Sequence, residues 1–315
     1  MKFLSFYKDT LKCNTDDQIF DYLISTLKPS NILWSYFVNW EKVLRNTKQI
    51  ELALNTFNYL IGKDNFDEEF KFLLKENPNI IKVIPALVVR DGTNKKKFKI
   101  LVDYKNKKLV YEDYDFTKKD ITDEDIEKYL TFVKETGLKD LIVGKKIKSL
   151  VDYMIGVEAG LDSNGRKNRG GHAMENIVEV FIKDVCEKNN FRYLKEANAE
   201  KIKDELGYDV PVDKSSRRYD FVINNGKELF IIETNFYGGG GSKLKSTAGE
   251  YRNLFDVLNG KYKFFWITDG YGWKTTAKPL RETFNHNDYL FNLAMLEKGI
   301  LEFLLKLSIG LVVDD

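Results

Sequence analysis

The chain has 315 residues, 43% hydrophobic and 31% charged, with five prolines and no low-complexity tract. This composition excludes long disordered linkers and leaves room for one large or two modest domains. A net charge of +2, from 50 basic and 48 acidic side chains, excludes a polybasic tail and confines any polyanion binding to local basic patches.

Two well-separated cysteines, Cys13 and Cys186, give neither a disulfide framework nor a zinc knuckle. The N-terminal apolar stretch is too short for a signal peptide and no window approaches a membrane span, so the expected compartment is the cytoplasm.

The first 150 residues read as mainly helical. TDDQIFDYLISTL opens on a capping threonine and lines up Ile19, Phe20, Tyr22, Leu23 and Leu27. TKQIELALNTFNYLIG repeats the pattern and stops at Gly62, and NFDEEFKFLLKEN ends before Pro78. IIKVIPALVV is compatible with a buried strand or a helix, although Pro85 argues against a central strand. KFKILVDY and KKLVYEDY read as a short hairpin, and TDEDIEKYLTFVKETG as a helix from Thr122 to Gly137.

The pattern changes near residue 150, where we place a soft boundary between regions 1–150 and 151–315. SNGRKNRGG reads as a basic, glycine-rich loop before a helix, HAMENIVEVFIKDVCEKNN. Three apolar runs of strand length follow: RYDFVI, KELFIIETN and YKFFWITDG. LKSTAGEYRNLFDVL supplies a helix between the second and third, and NDYLFNLAMLEKGILEFLLKL a final one. The expected architecture is α/β, a mixed central sheet flanked by helices.

Chemistry enters at IIETNFYGGGGSK, where an apolar run ends in Glu233, Asn235, four glycines and Lys243. A buried carboxylate costs several kcal/mol unless something compensates its charge. A two-residue Asn225-Gly226 turn, or a four-residue loop in the same register, pairs Asp220 with Ile231 and places Asp220, Ile231, Glu233 and Asn235 on one face. Asp220 and Glu233 then lie diagonally, about 5–8 Å apart. A three-residue loop would instead turn Asp220 to the other face.

On the preceding helix Glu175 falls at the margin of the apolar stripe Met174, Ile177, Val178, Phe181, Ile182 and Val185. The loop before it brings Arg166, Lys167 and Arg169 near a helix N-terminus, which favours an anion. Carboxylates beside a cationic, glycine-rich turn fit a Mg²⁺-dependent phosphodiester site. GGGGSK fails the phosphate-loop pattern. Its glycines read as letting the backbone approach DNA, with Ser242 and Lys243 on phosphates or base edges.

Glu175, Asp220 and Glu233-Thr234-Asn235 resemble the PD-(D/E)xK nuclease superfamily. More narrowly, DSNGRKNRGGHAMENIV, RRYDFVI, ETNFYGGGGSKL and WITDGYGW, in this order, resemble the DpnII/MboI type II restriction endonucleases. The likeness extends upstream through LVDYMIGVEAG and covers most of the chain. It implies a restriction-endonuclease core preceded by a helical DNA-clasping region. It also implies a homodimer that uses Mg²⁺ to cut double-stranded DNA at 5′-GATC, before the G, and an adenine DNA methyltransferase that protects the host's sites.

By this resemblance Asp220 and Glu233 are metal ligands, joined by the Thr234 carbonyl; Asn235 positions water or metal and Glu175 assists. Two departures stand out: Tyr219 replaces a nominal proline, and Asn235 stands where a lysine usually orients the attacking water. Lys243 or a second metal are candidates for the missing charge.

Plainer readings remain beside these. Asp220 alone could be a strand-edge acid paired to Arg217 or Arg218, Glu175 a solvated helix acid, and GGGGSK a flexible turn. At the level of the whole chain the alternatives are a DNA-binding protein that has lost cleavage, and a repair or structure-specific nuclease.

Overall fold

The computed structural model describes residues 2–89, 96–103, 109–214, 216–258 and 260–310, with the side chains of Lys167 and Asn168 outside the description. Two compact units emerge, one formed by residues 37–166 and the other by residues 1–36 together with 167–315. The chain therefore crosses between units twice, at 36/37 and 166/167, where the sequence reading placed one boundary near residue 150.

Among its described residues, the regular structure of the unit 37–166 is helical apart from one hairpin. Helices Trp40–Lys48, Glu51–Phe57, Phe66–Glu76, Asp123–Glu135 and Leu150–Asn164 carry most of it. Thr122 forms a capping box with Asp125 at the fourth of these, and the Ser149 side chain accepts from the Asp152 N–H at the fifth. IIKVIPALVV is helical, as a 3-10 turn Pro78–Val83 followed by Ile84–Val88, because proline is tolerated at a helix's first turn but not in a central strand. Strands β1 (Lys97–Asp103) and β2 (Val110–Asp115) pair antiparallel, as expected. Leu54, Phe57, Phe70, Phe116, Leu130 and Val133 are among the residues of its buried core.

The other unit is built on a five-stranded sheet in the order β3 (Arg192–Ala197), β4 (Tyr219–Asn224), β5 (Leu229–Phe236), β6 (Lys263–Asp269) and β7 (Tyr289–Phe291). β3, β4 and β5 are antiparallel neighbours, whereas β5, β6 and β7 run parallel. The helix Ser242–Leu258 makes the crossover from β5 to β6 that a parallel pair requires. β5 is buried continuously from Leu229 to Thr234, the signature of a strand covered on both faces. Met174, Val178, Ile182 and Val185 of helix Arg166–Asn189 enter the same core.

Two expectations are corrected here. SNGRKNRGG is not a loop: the chain is helical through Asn164 and again from Arg166, interrupted only at Gly165, so Arg169, Gly170 and Gly171 lie within a helix. The C-terminal segment opens as strand β7 and continues as helices Leu293–Glu297 and Ile300–Leu307. Gly299, at φ +89°, breaks the helical run in the left-handed conformation that glycine adopts without steric cost.

The first 36 residues join this unit through a buried carboxylate. Asp269, fully buried at the end of β6, accepts from the backbone N–H groups of Lys28, Gly270 and Leu293 at 2.6–2.9 Å. Asn292 adds bonds to the Leu23 carbonyl and the Thr26 hydroxyl.

Candidate active site

The β4–β5 hairpin closes with a four-residue loop, Asn225 to Glu228, one of the two lengths expected but placed one residue later along the chain. The Asn225 side chain accepts from the N–H groups of Lys227 and Glu228, and the Asn224 side chain from Gly226. These local amide bonds do the work of the tighter turn. Register shifts by two, with Phe221 opposite Ile232 and Val222 opposite Ile231. An even shift preserves the face. Asp220 and Glu233 remain on one side, and the register now runs toward direct opposition instead of a diagonal.

β3 brings in an acid that the sequence reading missed. Lys195 and Ala197 pair with Phe221 and Tyr219, bracketing Glu196 against Asp220. Glu196 holds a left-handed φ of +46°, unusual for a residue with a Cβ. Three consecutive strands thus carry Glu196, Asp220 and Glu233 at one level of the sheet. Helix Arg166–Asn189 adds Glu175, and one donor atom each from His172, Glu175 and Glu196 lie within 4.8 Å of one another. The Glu175 Oε1 sits 3.5 Å from His172 Nδ1, while its Oε2 is buried with no hydrogen-bond partner among the described residues.

Asp220 Oδ2 accepts from the Thr234 N–H at 2.7 Å and from the Thr234 hydroxyl at 2.9 Å. Burial raises its pKa from 3.8 to about 6; the Thr234 bonds pull it down, and Glu175 and Glu196 push it further up. Glu233, 4% exposed, is held well above the usual carboxylate range by burial first and by Asp220 second. Arg217 and Tyr251 oppose that shift: Arg217 Nη1 lies 3.5 Å from Oε1, and the Tyr251 hydroxyl donates to Oε2 at 3.3 Å.

The Asn235 amide is engaged at both ends. Its oxygen accepts from the Trp266 indole N–H at 2.9 Å and its NH₂ donates to the Tyr251 hydroxyl at 3.1 Å. A relay therefore runs from Trp266 through Asn235 and Tyr251 to Glu233. A lysine at 235 could not accept from the indole, which gives this substitution a local physical reason.

Among the basic candidates, Arg166 is exposed and bonds the Ser163 carbonyl, whereas Arg169 directs two donors at the Tyr36 carbonyl. The side chain of Lys167 lies outside the described residues. Ser242 and Lys243 are exposed at the start of helix Ser242–Leu258. The plainer pairing of Asp220 with an arginine is not what forms: Arg218 meets Glu196 at 3.4 Å, and Arg217 goes to Asp213, Glu250 and Glu233.

GGGGSK is shaped by the WITDGYGW turn beside it. The Tyr237 N–H donates to the Asp269 carbonyl, and the Gly272 N–H to the Tyr237 carbonyl. A Cβ on Gly270 would meet Tyr237 O at 2.2 Å and one on Gly272 would meet Gly239 O at 2.4 Å, so both positions require glycine. Gly238 and Gly239, by contrast, are exposed and border open space.

Glu175 and Glu196, grouped with His172 and flanked by Asp220, whose pKa both acids raise, form a mainly hard oxygen donor set, in which Glu175 Oε2 is buried and unpartnered among the described residues. Such a set fits a divalent cation of the Mg²⁺ or Mn²⁺ kind. No helix among the described residues is long and apolar enough to cross a membrane.

The chain matches the DpnII restriction endonuclease family over residues 19–303. It is 48% identical to the type II restriction enzyme MjaIII of Methanocaldococcus jannaschii over 294 residues, covering 91% of this chain and 99% of that protein. It is 37% identical to the type II restriction enzyme DpnII of Streptococcus pneumoniae (90% and 97% covered) and 35% identical to MboI of Moraxella bovis (90% and 95%). No solved structure matches it significantly. With its mixed sheet, its acid set and these relatives, the chain belongs to the DpnII restriction endonuclease family, whose type II enzymes are site-specific endonucleases acting on double-stranded DNA.

Proposed function

We propose that the protein hydrolyses unmethylated double-stranded DNA at 5′-GATC, before the G on each strand, with Mg²⁺ as its cofactor. The observation that carries the chemistry is the convergence of helix-borne His172 and Glu175 with Glu196 of β3, donor atoms within 4.8 Å of one another, next to Asp220, whose pKa both acids raise, and the buried Glu233. The GATC word, its methylation sensitivity and the paired adenine DNA methyltransferase rest on the likeness of the four motif blocks to the family.

Asp220 and Glu233, with the Thr234 carbonyl, would hold the cation, and Glu175 would stand as an outer ligand. When bound, the cation supplies positive charge to the scissile phosphate and activates the attacking water, giving 5′-phosphate and 3′-hydroxyl ends. Thr234 fixes the Asp220 carboxylate, and Asn235 acts through Tyr251 on Glu233. Arg166, Lys167, Arg169, Ser242 and Lys243 are assigned to DNA contacts, which would make binding fall with salt. The helical unit 37–166 is assigned the clasping role. A homodimer would match its two-fold symmetry to a palindromic site and place one active site on each strand. The enzyme would work in the cytoplasm, where host DNA needs protection.

Digestion of unmethylated and adenine-methylated phage DNA, with Mg²⁺ or EDTA, tests the reading. Fragments mapping to GATC are expected only from unmethylated DNA, only with Mg²⁺, and not with Asp220→Ala. Discrete cutting at another word would overturn the specificity, and equal cutting by Asp220→Ala would overturn the site.

A further inference from the structure

Arg217 lies just before β4, 6% exposed, surrounded by three carboxylates. Its Nε donates to Asp213 Oδ1 at 2.7 Å, and Nη2 reaches both Asp213 Oδ2 and Glu250 Oε1, the latter at 2.8 Å. Lys214 meets the same Glu250 Oε1 at 3.0 Å. The forked grip of Asp213 fixes the guanidinium plane, so Nη1 is presented to Glu233 Oε1 at 3.5 Å with little freedom left to lose. Asn235 brings no charge to this end of the sheet.

We propose that Arg217 is the positioning residue of the site: a buried, pre-oriented cation that holds Glu233 in place as a ligand, acting with the Trp266–Asn235–Tyr251 relay on its other oxygen. Glu233 is gripped from two sides, by a charge on Oε1 and a hydroxyl on Oε2. Removing the charge leaves a buried carboxylate uncompensated, which it does not tolerate in place. Asp213 and Glu250 serve by aiming the guanidinium, and they need no contact with substrate or cation. The assignment rests on the nuclease reading above.

The test compares Arg217→Met, Arg217→Lys and Asp213→Asn with wild type. Readouts are kcat and KM on duplex DNA, calorimetric Mn²⁺ binding without DNA, and DNA affinity in Ca²⁺. Arg217→Met matches the side chain's apolar bulk and lacks its charge. It is expected to lower kcat at least a hundredfold and weaken Mn²⁺ binding at least tenfold, with KM and DNA affinity within threefold of wild type. Arg217→Lys is expected to recover at least tenfold of the lost kcat.

A purely structural role would lower the stability of Arg217→Met while leaving kcat and Mn²⁺ binding of the folded protein near wild type. A folded Arg217→Met protein that binds Mn²⁺ and cleaves within threefold of wild type overturns the proposal, as does a Lys variant no better than Met. Should Arg217→Met not fold, Asp213→Asn decides: it keeps the charge and loosens the fork. A tenfold fall in kcat at unchanged DNA affinity is then expected, and wild-type kcat would overturn the proposal. Failure of the wild-type protein to cut DNA with any divalent cation would instead overturn the nuclease reading, whatever the variants do.

Discussion

Asp220 accepts two hydrogen bonds through a single oxygen, Oδ2, from the main-chain N–H and the hydroxyl of Thr234. One residue of β5 thus fixes a carboxylate of β4 just beyond the last paired position, Phe221 with Ile232. The side chain takes the place of a ladder acceptor there. Its other oxygen forms no hydrogen bond among the described residues.

Thr234→Val should therefore uncouple the site without emptying it. Losing a bond to an ionised group costs about 1.5–3 kcal/mol, on the order of ten- to a hundredfold in kcat if it is felt in the transition state. Thr234→Ser should stay near wild type. Single-turnover cleavage alongside DNA binding in Ca²⁺ checks this; equal rates for Val and Ser would show that the hydroxyl plays no part.

Stability without metal should depend on pH through Asp220. Its folded pKa of about 6 lies above its ordinary 3.8, so between those values the native state holds a proton that the unfolded chain has released. Stability contributed by this group is present below about pH 4 and is lost as pH rises through about 6. Asp220→Asn removes the effect and keeps an acceptor for Thr234. In EDTA the variant should be more stable than wild type at pH 8, by up to about 3 kcal/mol, with the gap closing toward pH 4. Urea unfolding across that range measures it, and a gap that ignores pH would refute the assignment.

The glycines of the two turns should separate by role. Gly272→Ala forces a Cβ into Gly239 O and Tyr237 O, and should cost about 2 kcal/mol or more, with activity lost along with melting temperature. Gly239→Ala meets nothing within 4 Å and should fold normally. A cleavage defect in folded Gly239→Ala would mark close backbone approach to DNA; an unimpaired variant would mean the loop stays clear of it.

Asp269 should prove structural. Asp269→Ala leaves three backbone N–H groups without their acceptor, two of them buried, and should cost about 3 kcal/mol or more. Because one of them belongs to Lys28, limited proteolysis should cut first within residues 1–36. Uniform destabilisation without preferential cutting there would contradict this.

The acids were legible in the sequence to different degrees. Glu233 at the end of LFII announced itself, since a carboxylate closing a buried strand demands compensation. Asp220 shared its face because the register, although misjudged, shifted by an even number of residues. Glu196 was not legible: RYLKEA is short, charged and on the sheet's edge, and its pairing with β4 is set by a strand more than twenty residues away. The missed signal was the alternation of Tyr193 and Lys195 with buried Leu194. The basic loop was misread because Gly170 and Gly171 look like breakers, yet a helix continues through them.

By itself the sequence determined the mixed α/β class, the helix that crosses from β5 to β6, and the common face of Asp220 and Glu233. Each follows from periodicity, which is local: side chains alternate every two residues in a strand and return every 3.6 in a helix. Tertiary structure alone decided that the first 36 residues join the sheet, that Glu196 completes the acid row, and that Arg217 compensates Glu233. A charge's partner is whichever group the folded strands and helices bring within a few ångströms. Asp213, Glu233 and Glu250 meet one guanidinium although they lie 4, 16 and 33 residues from it along the chain.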